Sequence, residues 1–186
     1  MLRFDPFGFE AGVEIGLIMV AVPSILKWTN QKASLYHGTL DIYVPRILSG
    51  IKVNKGRTHT DFGRGFYTTT VQRQAESWAW QLSQRRVGTV PAVICFDIDR
   101  DDLAKLDCLW FVRGSFDADD FWSFILHCRS GGADHGRAIL NWYDVVIGPV
   151  AALWTQRLAI YDADQISFHT DKAADLLNKS NPRRVK

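Results

Sequence analysis

Apolar residues recur along this chain in two rhythms, one of period two over short runs and one of helical spacing over longer ones, and the two together predict its elements. Residues 34–36 read as a short strand that ends at His37-Gly38-Thr39. Residues 42–48 predict a short helix stopped by Gly50, with Pro45 tolerated in its first turn. Residues 52–65 are polar and hold Gly56, Gly63 and Gly65, which reads as a loop. The aromatic and β-branched run 66–70 is a strand. Over 71–86, Val71, Ala75, Trp78, Ala79 and Leu82 fall on one helical face, with Thr70 as the expected N-cap. Residues 90–98 form a strong strand and 109–112 another. Residues 116–128 predict a helix, broken by Ser130-Gly131-Gly132. Residues 142–150 read as a buried strand, and 158–161 and 165–169 as two short ones. A terminal helix over 171–177 is capped by Thr170 or Asp171, and the tail after it reads as loose.

This order predicts an α+β fold rather than a regular βαβ series, and the GxGxxG dinucleotide fingerprint is missing. Three parts are expected: an N-terminal extension over 1–30, a folded domain over 31–178, and the tail 179–186. The 186 residues can bury a real core, and 47% apolar with 23% charged residues is an ordinary globular balance. A net charge of +2 makes no strong case for nucleic acid or membrane as a partner. The apolar run 15–26 is too short to span a bilayer, so a buried strand or helix, or a poorly ordered extension, is the expectation there. Cys95, Cys108 and Cys128 are odd in number and form no CxxC pair. That argues against a disulfide framework, points to the cytoplasm, and leaves no zinc-type ligand set, so no metal is expected.

Three segments place unusual polar residues beside strands. In Leu35-Tyr36-His37-Gly38-Thr39, the glycine allows backbone to approach a flat ring, although taken alone the segment is a turn with a partly buried histidine. In residues 61–70, Gly63 and Gly65 make a pliable loop, and Phe66 and Tyr67 point to opposite faces. One of the two aromatics then packs into the core while the other is free to stack on a planar ligand. In residues 164–170, Gln165, Ser167 and His169 share a face that would ordinarily be solvated. His59, His127 and His135 match no pattern and are expected at the surface or in loops. Trp78, Trp80 and Trp142 are expected in the core.

Together the segments resemble the ADP-ribosyltransferase superfamily, and within it a bacterial family of toxin-like members. The resemblance rests on LYHGT at 35–39, DFGRGFYTT at 61–69, QAESWA at 74–79, YDVVIGPVA at 143–151 and QISFHTDKA at 165–173. It implies a split β-sheet core with flanking helices and a His-Tyr-Glu type triad on three strands. By resemblance, His37 hydrogen-bonds a ribose of NAD⁺, the Gly38 backbone with Thr39 beside it holds the carboxamide, and the Tyr67 ring stacks on nicotinamide. Gln165 stands where many members carry the catalytic Glu; a neutral amide offers a dipole where a carboxylate offers charge. Gly63, Arg64, Gly65 and Phe66 would complete the NAD⁺ site, with Arg64 against the pyrophosphate. Ser167 or His169 would steer an acceptor, and Asp61 would brace the loop rather than act as a base.

The activity implied is mono-ADP-ribosyl transfer from NAD⁺, as a toxin of a toxin–antitoxin or phage-defence system. The acceptor is protein, RNA or DNA, and an antitoxin is the expected protein partner. An NAD glycohydrolase and a non-catalytic NAD or ADP-ribose binding module stay open beside it. An RNA 2′-phosphotransferase shares the fold but calls for more basic residues near the site than Arg64.

Overall fold

A computed structural model of the protein describes residues 31–112, 119–137 and 141–186. The expectations for 1–30 and for the start of the helix at 116–118 lie outside the described residues.

The fold is mixed α+β. Its elements are β1 (Ala33–Leu40), α1 (Val44–Leu48), β2 (Phe66–Thr68), α2 (Gln72–Gln84), β3 (Pro91–Ile98), α3 (Arg100–Leu103), β4 (Cys108–Trp110), α4 (Asp119–Arg129), β5 (Val145–Leu153), β6 (Leu158–Phe168), α5 (Asp171–Lys179) and β7 (Arg183–Arg184). The strands form two sheets, in the orders β1-β3-β7 and β2-β6-β5-β4. All pairs are antiparallel except β4 with β5. Among the described residues, one antiparallel bridge, Tyr36 to Thr69, joins the sheets.

An inner apolar layer packs one face of the first sheet (Leu35, Ile94, Phe96) against one face of the second (Val145, Ile166, Phe168), with Ala173, Ala174 and Leu177 of α5 closing it. The opposite face of the second sheet carries Val146 and Ala151 and is covered by Phe121, Trp122 and Ile125 of α4 together with Phe62. The opposite face of the first sheet carries Val93 and is covered by Ala75 and Ala79 of α2. Small residues at this last contact allow a close approach of helix to sheet. A Cβ on Gly38 would lie 2.1 Å from the Ala75 carbonyl oxygen, so only glycine fits there.

Several expectations are corrected by tertiary contacts. His37-Gly38-Thr39 continues β1 instead of turning, because the strand keeps pairing with β3 through Leu40 and Pro91. The two short strands expected in 158–169 are one strand, β6, which crosses a register irregularity opposite Pro149 and Val150. β5 begins at Val145, so Trp142 precedes it. The tail is not loose: β7 pairs with β3, Val185 N–H donates to the Val93 carbonyl at 2.9 Å, and Val93 N–H donates to the Lys186 carbonyl at 3.1 Å. Trp78 and Trp80 are 46% and 58% exposed, since the close α2–β1 contact leaves room only for alanines. α2 is capped at Val71 and not at Thr70, whose backbone N–H and hydroxyl are both committed to Asp164. The Thr170 cap of α5 forms as expected, accepting from Ala173 N–H.

Candidate functional site

The two sheets part company immediately after their bridge, and His37 is the wedge. Tyr36 and Thr69 exchange both backbone hydrogen bonds, at 2.8 and 2.9 Å. Continued pairing would bring Gly38 opposite Tyr67. Instead the His37 Nδ1–H donates to the Tyr67 carbonyl at 2.7 Å, and the imidazole stacks on Phe66 with ring centroids 4.3 Å apart. A carbonyl can only accept, so Nδ1 carries the hydrogen and Nε2 keeps its lone pair. Burial lowers the His37 pKa, with the bond to Tyr67 working against it, so the ring is neutral at pH 7.

Gly38 is buried, and its peptide is therefore left without a partner on β2. The N–H and C=O of alternate residues point the same way along a strand, so those of Gly38 point with those of Tyr36, away from β3. Val93, the partner of Gly38, confirms this polarity by sending both its own groups to the tail beyond β3. One donor and one acceptor of Gly38 thus lie side by side where β1 and β2 diverge.

Tyr67 sits across this divergence with its ring anchored. Its hydroxyl donates to the Gly63 carbonyl at 2.7 Å, accepts from Phe62 N–H at 3.0 Å and lies 2.8 Å from Thr60 Oγ1. Burial pushes the phenol pKa up, so the ring is an uncharged plate fixed to the glycine loop. Tyr67 pairs with Ser167 across β2 and β6, and alternation puts Tyr67, Ser167 and Gln165 on one face.

That shared face is not solvated, contrary to expectation, because the glycine loop lies over it. Ser167 is fully buried and His169 nearly so. Gly65 is pressed against His169: a Cβ there would meet its Nδ1 at 2.7 Å. His169 Nδ1–H donates to the Arg64 carbonyl at 2.9 Å, which leaves Nε2 to accept from the Ser167 hydroxyl at 2.7 Å. His135, expected at the surface, is also buried. Its Nε2–H donates to the Phe62 carbonyl at 2.9 Å, and its Nδ1 accepts from Tyr143 N–H at 2.9 Å. The two imidazoles are 4.5 Å apart, centroid to centroid. Burial lowers the pKa of His135 to about 4 and that of His169 to about 3. Two neutral histidines thus staple the loop to the sheet, and neither Ser167 nor His169 is open to an acceptor. Sequence reasoning missed His135; a histidine one position from a glycine after a broken helix carries no signal that it will be buried.

Gln165 is buried and its amide is locked. Nε2 donates to Asp61 Oδ2 at 2.7 Å and to the Pro149 carbonyl at 2.9 Å. Asp61 braces the loop as expected: it is buried, it pairs with Arg129, and it accepts from Ala151 N–H at 2.9 Å.

The sequence-expected residues are thus neighbours, though not all on one wall. His37, Tyr67 and Gln165 occupy β1, β2 and β6, which lie side by side at the bridge. The Tyr67 and Gln165 side chains share a face, whereas the His37 imidazole lies with Phe66 toward the inner layer and reaches Tyr67 through its backbone. Phe66 is the aromatic that packs inward, edge-on to Phe96 at 5.7 Å. Thr39 is buried in β1 beside Ala92. Arg64 is exposed, with its guanidinium 5.7 Å from the centre of the Trp142 ring. Among the described residues no group of three His, Cys, Asp or Glu side chains is placed to hold a metal ion, and no helix is long and apolar enough to cross a membrane.

No curated protein and no solved structure matches the chain. A family model described as protein of unknown function (DUF3990) matches residues 33–162, from the start of β1 into β6 and ending short of Gln165. That match covers more than half of the chain, which therefore belongs to the DUF3990 family.

Proposed function

We propose that the protein binds NAD⁺ at the divergence of β1 and β2 and transfers ADP-ribose from it to a macromolecule. The observation that carries this reading is the Gly38 peptide left without a strand partner where the His37 side chain takes the Tyr67 carbonyl, with the Tyr67 ring anchored to the glycine loop. A nicotinamide carboxamide has one carbonyl and one NH₂, which complement the N–H and C=O of Gly38 in a two-bond pairing. The Tyr67 ring offers a flat surface for the pyridinium. His37 Nε2 and the Gln165 carbonyl oxygen are acceptors suited to ribose hydroxyls.

Cleavage of the nicotinamide–ribose bond expels a neutral base and leaves positive charge on the sugar. A site of fixed acceptors favours that charge as it develops. Arg64, exposed at the tip of the loop, is the group suited to the pyrophosphate. The motif resemblance supports a toxin of a toxin–antitoxin or phage-defence system, with an antitoxin as its protein partner, and the odd, unpatterned cysteines point to the cytoplasm.

One observation favours a second reading. Gln165 is neutral and buried, which suits a module that binds NAD⁺ or ADP-ribose without turnover. Incubation with NAD⁺ labelled in the adenylate, with cell lysate present, separates the readings. Label that becomes sensitive to protease or to nuclease identifies transfer and the acceptor class. Free ADP-ribose alone means hydrolysis, and binding without nicotinamide release means the module. A protein that neither binds NAD⁺ nor releases nicotinamide ends the proposal.

A further inference from the structure

The carboxylate that the site lacks at Gln165 stands one hydrogen bond behind it. Asp61 Oδ2 accepts from Gln165 Nε2 at 2.7 Å, and the second amide hydrogen goes to the Pro149 carbonyl at 2.9 Å. Both neighbours can only accept, so the NH₂ must face them and the amide has one permitted orientation. Its carbonyl oxygen is the atom left over for a ligand. Asp61 is itself immobilised from three elements: Arg129 of α4 holds Oδ1, Ala151 N–H of β5 donates to Oδ2, and Gln165 of β6 completes the set.

We infer that Asp61 is a positioning residue for Gln165, fixing the amide and polarising its carbonyl oxygen toward a ribose hydroxyl. This rests on the ADP-ribosyl-transfer reading above. Donation to a carboxylate draws the amide toward its charge-separated resonance form and raises the electron density on oxygen. The oxygen becomes a stronger acceptor and a better neighbour for positive charge on the sugar than an unassisted amide. The same contact explains why glutamine fits here: a glutamate at position 165 would bring a second carboxylate against Asp61 and the Pro149 carbonyl, and like charges this close resist joint ionisation.

The experiment compares wild type, Q165E, D61N and D61N/Q165E in the full chain. Nicotinamide release from NAD⁺ and the thermal midpoint are measured between about pH 5 and about pH 8. In D61N the amide nitrogen of residue 61 can turn toward Gln165 and claim its carbonyl oxygen. kcat then falls at least about tenfold while KM for NAD⁺ stays within about threefold, a split that general loosening of the fold does not produce. In Q165E the thermal midpoint falls below that of wild type by an amount that grows as pH rises, because one of the two carboxylates must lose a shared proton. D61N/Q165E removes that growth. Q165E keeps the Asp61–Arg129 pair and carries the test even where D61N does not fold. A Q165E midpoint that tracks wild type at every pH, or a folded D61N with wild-type kcat, overturns the inference alone. A wild-type chain that releases no nicotinamide overturns the transfer reading, and the positioning role with it.

Discussion

The split between β1 and β2 and the polar layer under the glycine loop use the same side chain to opposite ends. At the split, His37 takes the Tyr67 carbonyl that Gly38 would otherwise pair with, and the Gly38 peptide keeps no strand partner on that side. Under the loop, His135 and His169 bond through both ring nitrogens to the Phe62 and Arg64 carbonyls, Tyr143 N–H and the Ser167 hydroxyl, and nothing is left over. Both regions hold neutral imidazoles, half-buried at the split and buried under the loop. The first uses one nitrogen to create an unsatisfied edge, whereas the second uses all four to remove every unsatisfied group. A buried histidine therefore marks a candidate site only when a ring nitrogen or a displaced backbone group is left without a partner.

The comparison breaks most severely at Gly38. G38A puts a methyl group against the Ala75 carbonyl and forces α2 off the sheet. The expected loss is about 3 kcal/mol or more, read by urea denaturation, and a near-wild-type midpoint would mean that the helix does not pack this closely. Next comes H169A, which strands the Arg64 carbonyl in a buried layer and leaves the Ser167 hydroxyl only the Val146 carbonyl, at 3.2 Å. A loss of about 2–4 kcal/mol is expected, with NAD⁺ affinity reduced only through loosening of the loop.

The pH dependence of stability sharpens the same contrast. His135 and His169 have folded-state pKa values of about 4 and about 3, against 6.5 as the ordinary value. The unfolded chain binds protons first, so their contribution is present above the unfolded pKa and is lost as pH falls toward the folded values. The thermal midpoint should drop steadily below about pH 6, and H135Q should reduce the slope by the share of one proton. A flat profile down to about pH 4 would place these rings in water. The mildest change is H37A. It removes one hydrogen bond and a ring stack at a cost of about 1–2 kcal/mol, yet lets β2 close on β1 and should abolish NAD⁺ binding measured by calorimetry. Retained binding in a folded H37A variant would separate the wedge from the site.

Much of this architecture was legible along the chain. The apolar run 90–98 and the apolar face of 71–86 give β3 and the bulk of α2, and Thr170 before an amphipathic run gives the cap of α5. The motif residues His37, Tyr67 and Gln165 stand on adjoining strands, and Asp61 braces the loop. Burial of the polar residues was not legible. Ser167 and His169 alternate with apolar neighbours as an exposed face does, and only the loop folded over β6 makes them interior. Trp78 fits the helical core stripe and Trp80 was expected in the core beside it, yet both are exposed where Gly38 brings α2 close to the sheet.

Local chemistry determined which segments become strands and helices, because periodicity and capping act over a few residues and need no distant partner. It also supplied the candidate residues for binding: a glycine, a tyrosine, a histidine and an amide. Only the tertiary structure decided which of their hydrogen-bonding groups stay open. That outcome depends on partners some 30 to 104 positions away, as with His37 and Tyr67 or Asp61 and Gln165. A hydrogen bond is satisfied in space and not in sequence, so the availability of each group emerges only when the strands are laid side by side.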